Sequence, residues 1–96
     1  MKPSELLDRY RAEVRQIAFR HGMRSVSVFG SVLTGTDTEN SDLDLLVEPT
    51  STTSTFDIGG IQFEVSELLG IQVDVLTPDA LPSAFRSRVM AEAVRL

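Results

Sequence analysis

Asp42 and Asp44 stand two residues apart in Asp-Leu-Asp-Leu-Leu-Val-Glu, residues 42–48, a run whose other members are largely apolar. Successive side chains of a strand point to opposite faces, so residues two apart share one. Leu43, Leu45 and Val47 then face a core, and both carboxylates project together on the other side. Adjacent like charges are unfavourable unless a cation lies between them. Hard oxygen ligands on a strand suit Mg²⁺, which is commonly held by one or two carboxylates together with substrate phosphates.

Ten residues separate Asp42 from the dipeptide Gly30-Ser31. Before that dipeptide, Ser25 to Phe29 reads as a strand with Val26 and Val28 on one side of the pleat. Gly30-Ser31 reads as a turn into a short helix ending near Gly35. A turn opening a helix offers unpaired amides and a positive dipole end to an anion. Gly30 permits close approach of a phosphate to the backbone, and Ser31 adds a hydroxyl donor. A phosphate cradle and a metal pair in one stretch imply phosphoryl or nucleotidyl transfer.

Gly-Ser, ten residues, then Asp-x-Asp resembles the signature of the DNA polymerase β-like nucleotidyltransferase superfamily. The short chain around it is similar to the minimal nucleotidyltransferases of the MNT type, antitoxins paired with HEPN-domain toxins. The resemblance continues through Ile71-Gln-Val-Asp-Val-Leu-Thr-Pro-Asp-Ala-Leu to a C-terminal helix. It implies a third metal-binding carboxylate at Asp74, joining Asp42 and Asp44, with Gly30 and Ser31 on the nucleotide phosphates. It also implies a small α/β (α+β) fold with a mixed sheet and helices packed on one face. One departure stands out: many members carry an arginine three residues after the signature serine, where this chain has Thr34.

Charge distribution sharpens that departure. The net charge is −5, which argues against a general nucleic-acid binder. All nine basic residues fall within residues 2–24 or 86–95; from Ser25 to Phe85 there are ten acidic residues and no basic one. The strands of the signature bring no cation of their own, so metal ions, helix-terminal arginines or a partner must neutralise a bound triphosphate. Zero cysteines exclude disulfides and thiolate-held zinc and fit a cytoplasmic protein. No apolar run approaches the roughly 20 residues of a membrane span, and no signal peptide is expected. Residues 1–96 read as one domain.

Along the chain, residues 4–21 have helical periodicity, with Leu6, Leu7, Tyr10, Val14, Ile17 and Ala18 on one stripe. Ser4 is the expected N-cap and Gly22 the expected residue beyond the last turn. His21 reads as a capping or surface residue, and Asp37 and Glu39 as solvated loop charges. Residues 50–55 read as a mobile loop ending in a helix cap. Ile61, Val65, Leu68 and Leu69 mark a second helix, weakened at its start by Gly59-Gly60 at roughly 1 kcal/mol per glycine. Ile71 to Leu76 reads as a strand. Phe85, Val89 and Ala93 mark a last helix, with Met90 expected in the core.

These readings converge on Mg²⁺-dependent transfer of AMP from ATP, with two ions, to a hydroxyl of a partner protein, a HEPN-type toxin. Only 22 residues follow Asp74 (96 − 74), which leaves the acceptor to supply most of its own binding surface. Complementary charge would favour encounter with a basic partner. The alternative is an antitoxin that neutralises its partner by masking alone.

Overall fold

The computed structural model describes all 96 residues. The chain runs α1 (Pro3–Arg20), β1 (Ser25–Phe29), α2 (Ser31–Thr34), β2 (Leu43–Glu48), α3 (Thr55–Leu69), β3 (Val73–Leu76), a 3₁₀ turn (Pro78–Ala80), α4 (Ser83–Glu92) and β4 (Val94–Arg95). The four strands form one sheet in the order β3-β2-β1-β4. β1 pairs antiparallel with β2 and β4, whereas β2 and β3 are parallel. The mixed sheet matches expectation. Its fourth strand, two residues long, carries too little pattern to be read from sequence.

Alternation decides which face is which. Val26 and Val28 of β1, Leu43, Leu45 and Val47 of β2, and Val73 and Val75 of β3 are all buried. They meet Leu7, Val14, Ile17 and Ala18 of α1 and Ile61, Val65 and Leu69 of α3 in one hydrophobic core. The α1 stripe therefore falls where its periodicity places it, although Tyr10 leaves helical geometry and kinks the helix. The opposite sheet face is only partly covered. A cleft there is lined by Ser27 and Leu46 of the sheet together with Pro78 and Met90, so the 3₁₀ turn and α4 lie over that end of the face.

Three local expectations are corrected. The N-cap of α1 is Lys2, whose N–H donates to Glu5 Oε1 at 2.8 Å. Ser4 lies inside the helix, and its N–H donates to Asp37 Oδ2 at 2.9 Å. Asp37 is thus no solvated loop charge: it is 6% exposed and ties the β2-proximal loop to the first turn of α1. That backbone hydrogen bond holds its carboxyl below the usual carboxylate range. Met90 is 50% exposed rather than core, and α4 buries no residue at all.

Another tie runs between the helices. His21, the C-cap of α1, packs against α3, where Nε2 meets Glu64 and Nδ1 lies 3.6 Å from Asp57. Arg20 also pairs with Glu64. This explains Gly60 within a helix: a Cβ there would lie 2.6 Å from His21 Cε1. The 50–55 segment is organised by hydrogen bonds, with the Thr50 N–H donating to Thr53 Oγ1 at 2.8 Å. Ser54 then caps α3, its N–H donating to Asp57 Oδ2 at 3.0 Å. No helix is long and apolar enough to cross a membrane.

Two substitutions separate core from cover. Leu45→Ala should destabilise the protein by about 2–5 kcal/mol, and Met90→Ala by under about 0.5 kcal/mol, both measured by urea unfolding.

Candidate active site

Asp44 and Asp74 are direct partners in the β2–β3 register. Neighbouring strands lie about 4.8 Å apart, so two carboxylates on the same face of adjacent strands cannot avoid each other. Burial of Val73 and Val75 and of Leu43 and Leu45 sets this register from behind. A slip of one residue would turn the slipped strand's buried side chains outward. Asp42 precedes β2 and is exposed, at the entrance to the strand rather than within it.

Burial of Asp44 comes first, and the charges of Asp74 and Asp42 follow, in raising its pKa from 3.8 to about 6. No arginine, lysine or histidine forms an ion pair with any of the three aspartates. They present oxygen donors alone, which suits a hard divalent cation. No three of the chain's His, Asp and Glu side chains are gathered closely enough to hold a metal ion by themselves.

Gly30 closes the other side. Phe29 pairs with Asp44 in the β1–β2 register, so the chain leaves β1 directly beside that carboxylate. Gly30 has φ +75° and ψ −152°, a region essentially confined to glycine. A Cβ on it would overlap the Asp44 carboxylate, lying 3.3 Å from Cγ and closer still to Oδ2. The glycine is required twice, by the turn and by the aspartate. Ser31 opens α2 immediately after it, half-buried, and the leading amides of a helix have no intrahelical partners. Thr34 turns its hydroxyl back on the same turn, 3.4 Å from the Gly30 carbonyl and 3.3 Å from that of Ser31.

Beside this turn opens a cleft of about 300 Å³, walled by Phe29, Gly30, Leu33 and Thr34 on one side and by Arg88, Val89 and Glu92 of α4 on the other. The structure therefore brings Gly30, Ser31, Asp44 and Asp74 together, sets Asp42 at their edge, and adds α4, which the sequence motif did not include. Confinement of the cations to the chain termini was the available signal for that helix.

The Gly30 turn thus lies next to paired carboxylates on a mixed sheet. Residues 8–96 match the family model of the nucleotidyltransferase domain, and the chain belongs to that family. A relative named "Putative protein adenylyltransferase" from Methanocaldococcus jannaschii is 33% identical over 88 residues, covering 92% of this chain and 95% of its own. "Protein adenylyltransferase MntA" of Thermococcus cleftensis is 32% identical over 89 residues, covering 93% of this chain and 87% of its own. Among solved structures, one described as a "putative minimal nucleotidyltransferase" has a TM-score of 0.87 and 36% identity, covering 97% of this chain and 95% of its own. Another, described as a toxin-antitoxin with AMP-PNP, shares the fold at a TM-score of 0.70 and 18% identity, over 83% of this chain and 66% of its own.

The raised Asp44 pKa has a direct consequence for the metal-free protein. Between about pH 4 and 6 the folded state retains a proton that the unfolded chain releases. Stability should therefore fall as pH rises through that window. Melting temperatures in EDTA should show this slope in the wild type and lose it in Asp44→Asn. Gly30→Ala should cost about 1–3 kcal/mol, read by urea unfolding, because strain and overlap with Asp44 act together.

Proposed function

We propose that this chain transfers AMP from ATP to a hydroxyl of a partner protein, using Mg²⁺ held by Asp42, Asp44 and Asp74. The observation that carries this reading is the in-register Asp44–Asp74 pair beside the Gly30 turn. The oxygen-only donor set, and the burial together with neighbouring charge that lifts Asp44, fit a divalent cation. Because no three side chains close on a metal by themselves, substrate phosphates complete its coordination. Bound there, two metal ions would supply charge neutralisation at the triphosphate and activation of the acceptor oxygen.

The chain's own groups have distinct roles in this reading. Gly30 and Ser31 receive the outer phosphates through backbone and hydroxyl donors. Asp44 and Asp42 orient the α-phosphate end, and Asp74 stands on the acceptor side. The acceptor hydroxyl oxygen forms a bond to the α-phosphorus as the bond from that phosphorus to the bridging oxygen breaks. Pyrophosphate leaves, and Asp74 is placed to take the hydroxyl proton. Positioning and charge complementarity supply most of the rate in such transfers.

A protein acceptor is supported by the relatives named protein adenylyltransferases. A toxin partner, of the HEPN type, and an antitoxin role are supported by the resemblance of the signature and by the fold shared with a toxin-antitoxin structure. One observation favours the masking alternative. Thr34 spends its hydroxyl within its own turn and leaves no cation at that position.

Incubation with Mg²⁺ and ATP labelled on the α-phosphate, with copurifying proteins present, separates the two readings. Label should pass to a second protein with the wild type, and the Asp42→Ala, Asp44→Ala double variant should lose at least a hundredfold in rate, the loss seen when one preorganised electrostatic group is removed. Retained transfer in the double variant would overturn the site assignment. A stable partner that never takes label would favour masking.

A further inference from the structure

The elements bearing the aspartates and the Gly30 turn contain no basic residue, yet any triphosphate bound there carries several negative charges. Helix α4 brings a cation to the cleft beside that turn. The cleft beside Gly30 and Thr34 has α4 as its far wall, and Arg88 is the basic residue on that wall.

The neighbouring arginines are already engaged. Arg86 Nε donates to the Pro78 carbonyl at 2.8 Å, and its Nη2 to the Leu81 carbonyl at 3.0 Å, clamping α4 to the 3₁₀ turn that follows β3. Arg95 belongs to β4 and lies 3.9 Å from Glu48, at the far end of β2 from Asp44. Arg88 makes no hydrogen bond and no ion pair. Its guanidinium carbon lies 5.8 Å from the centroid of the Phe85 ring, a stacking contact that orients the group and leaves its N–H donors free. Glu92, one turn further along α4, lines the same cleft and forms no ion pair with Arg88.

The helix itself is unusual in the same direction. It buries no side chain, so the core does not explain its position. The Arg86 clamp fastens its first turns, and the pairing of Val94 with Val28 and of Arg95 with Ser27 fastens the strand that follows it. Held at both ends, α4 presents Arg88 across the cleft from Thr34.

We propose that Arg88 is the protein's own phosphate-binding cation, and that the outer phosphates of the nucleoside triphosphate lie in the cleft between the Gly30 turn and α4. A guanidinium suits this role because its planar fork of donors matches two phosphate oxygens at once. Glu92 opposes an anion in that cleft and sets a limit on affinity. This inference rests on the nucleotidyl-transfer reading and names the residue that holds its substrate.

Equilibrium titration with Mg·ATP and with AMP tests it. Arg88→Ala should weaken Mg·ATP binding roughly tenfold or more, as expected for loss of a hydrogen bond to a charged group. AMP, which lacks the outer phosphates, should be affected less than about twofold, the small change expected when no contact of the ligand is lost. Glu92→Gln should tighten Mg·ATP binding, and Thr34→Arg, added to Arg88→Ala, should recover affinity by returning a cation across the same cleft. Arg9→Ala, on the exposed side of α1, should change neither ligand. Wild-type affinity for Mg·ATP in Arg88→Ala, or an equal loss for ATP and AMP, would overturn the proposal while leaving nucleotidyl transfer intact. Failure of the wild type to bind Mg·ATP at all would overturn both.

Discussion

Two like charges forced side by side govern this structure. Asp44 and Asp74 cannot separate, because their strands are locked in register by the side chains on the other face, where Leu43, Leu45 and Val73 have no exposure and Val75 is 6% exposed. Parallel pairing of β2 with β3 also requires a crossover, which α3 provides. That helix must sit over the core for the register to hold. Its cap at Ser54, its burial of Ile61, Val65 and Leu69, and its ties from Glu64 to Arg20 and His21 all serve that placement. The repulsion at the front of the sheet is thus sustained by packing at the back.

Charge segregation completes the constraint. Basic residues occur only near the chain ends, and folding uses several of them away from the aspartates: Arg20 against Glu64, Arg86 against backbone carbonyls, Arg95 near Glu48. Even Asp37, acidic and close to the signature in sequence, turns away to the first turn of α1. The face bearing Asp44 and Asp74 is left without compensation from its own strands. An internal salt bridge would relieve Asp44, but it would also fill the space where a cation and a phosphate chain could meet the carboxylates. Neutralisation from outside the strands keeps that space open.

Much of this was legible in residue order because it depends on short-range periodicity. Alternation from Leu43 to Val47 gives the buried face of β2 without reference to anything distant, and the same holds for Val26 and Val28. The spacing from Gly30-Ser31 to Asp42 reports one turn and one loop. Other features depend on partners far along the chain. Asp37 finds an amide 33 residues away, and His21 finds Glu64 43 residues away; neither pairing leaves a local pattern. Gly60 reads as a weak point in a helix until the imidazole above it is seen. Met90 was expected inside because it is apolar, but a helix fastened by Arg86 and β4 has no need of a buried stripe. Asp42 shares the sequence pattern of Asp44 but lies just before β2, which begins at Leu43.

The order of elements across the sheet also gives the site a direction. Moving from β1 to β3, one meets the Gly30 turn, then Asp44, then Asp74. β3 is an edge strand, whereas β1 is flanked by β4 and overlooked by α4. On the nucleotidyl-transfer reading, the triphosphate belongs on the enclosed β1 side, where the turn and the cleft can grip it. The acceptor would then approach from the β3 edge, where Asp74 is the first of the paired carboxylates. An in-line displacement needs the attacking and leaving oxygens on opposite sides of the phosphorus, which this reading meets by bringing triphosphate and acceptor in from opposite sides of the Asp44–Asp74 pair.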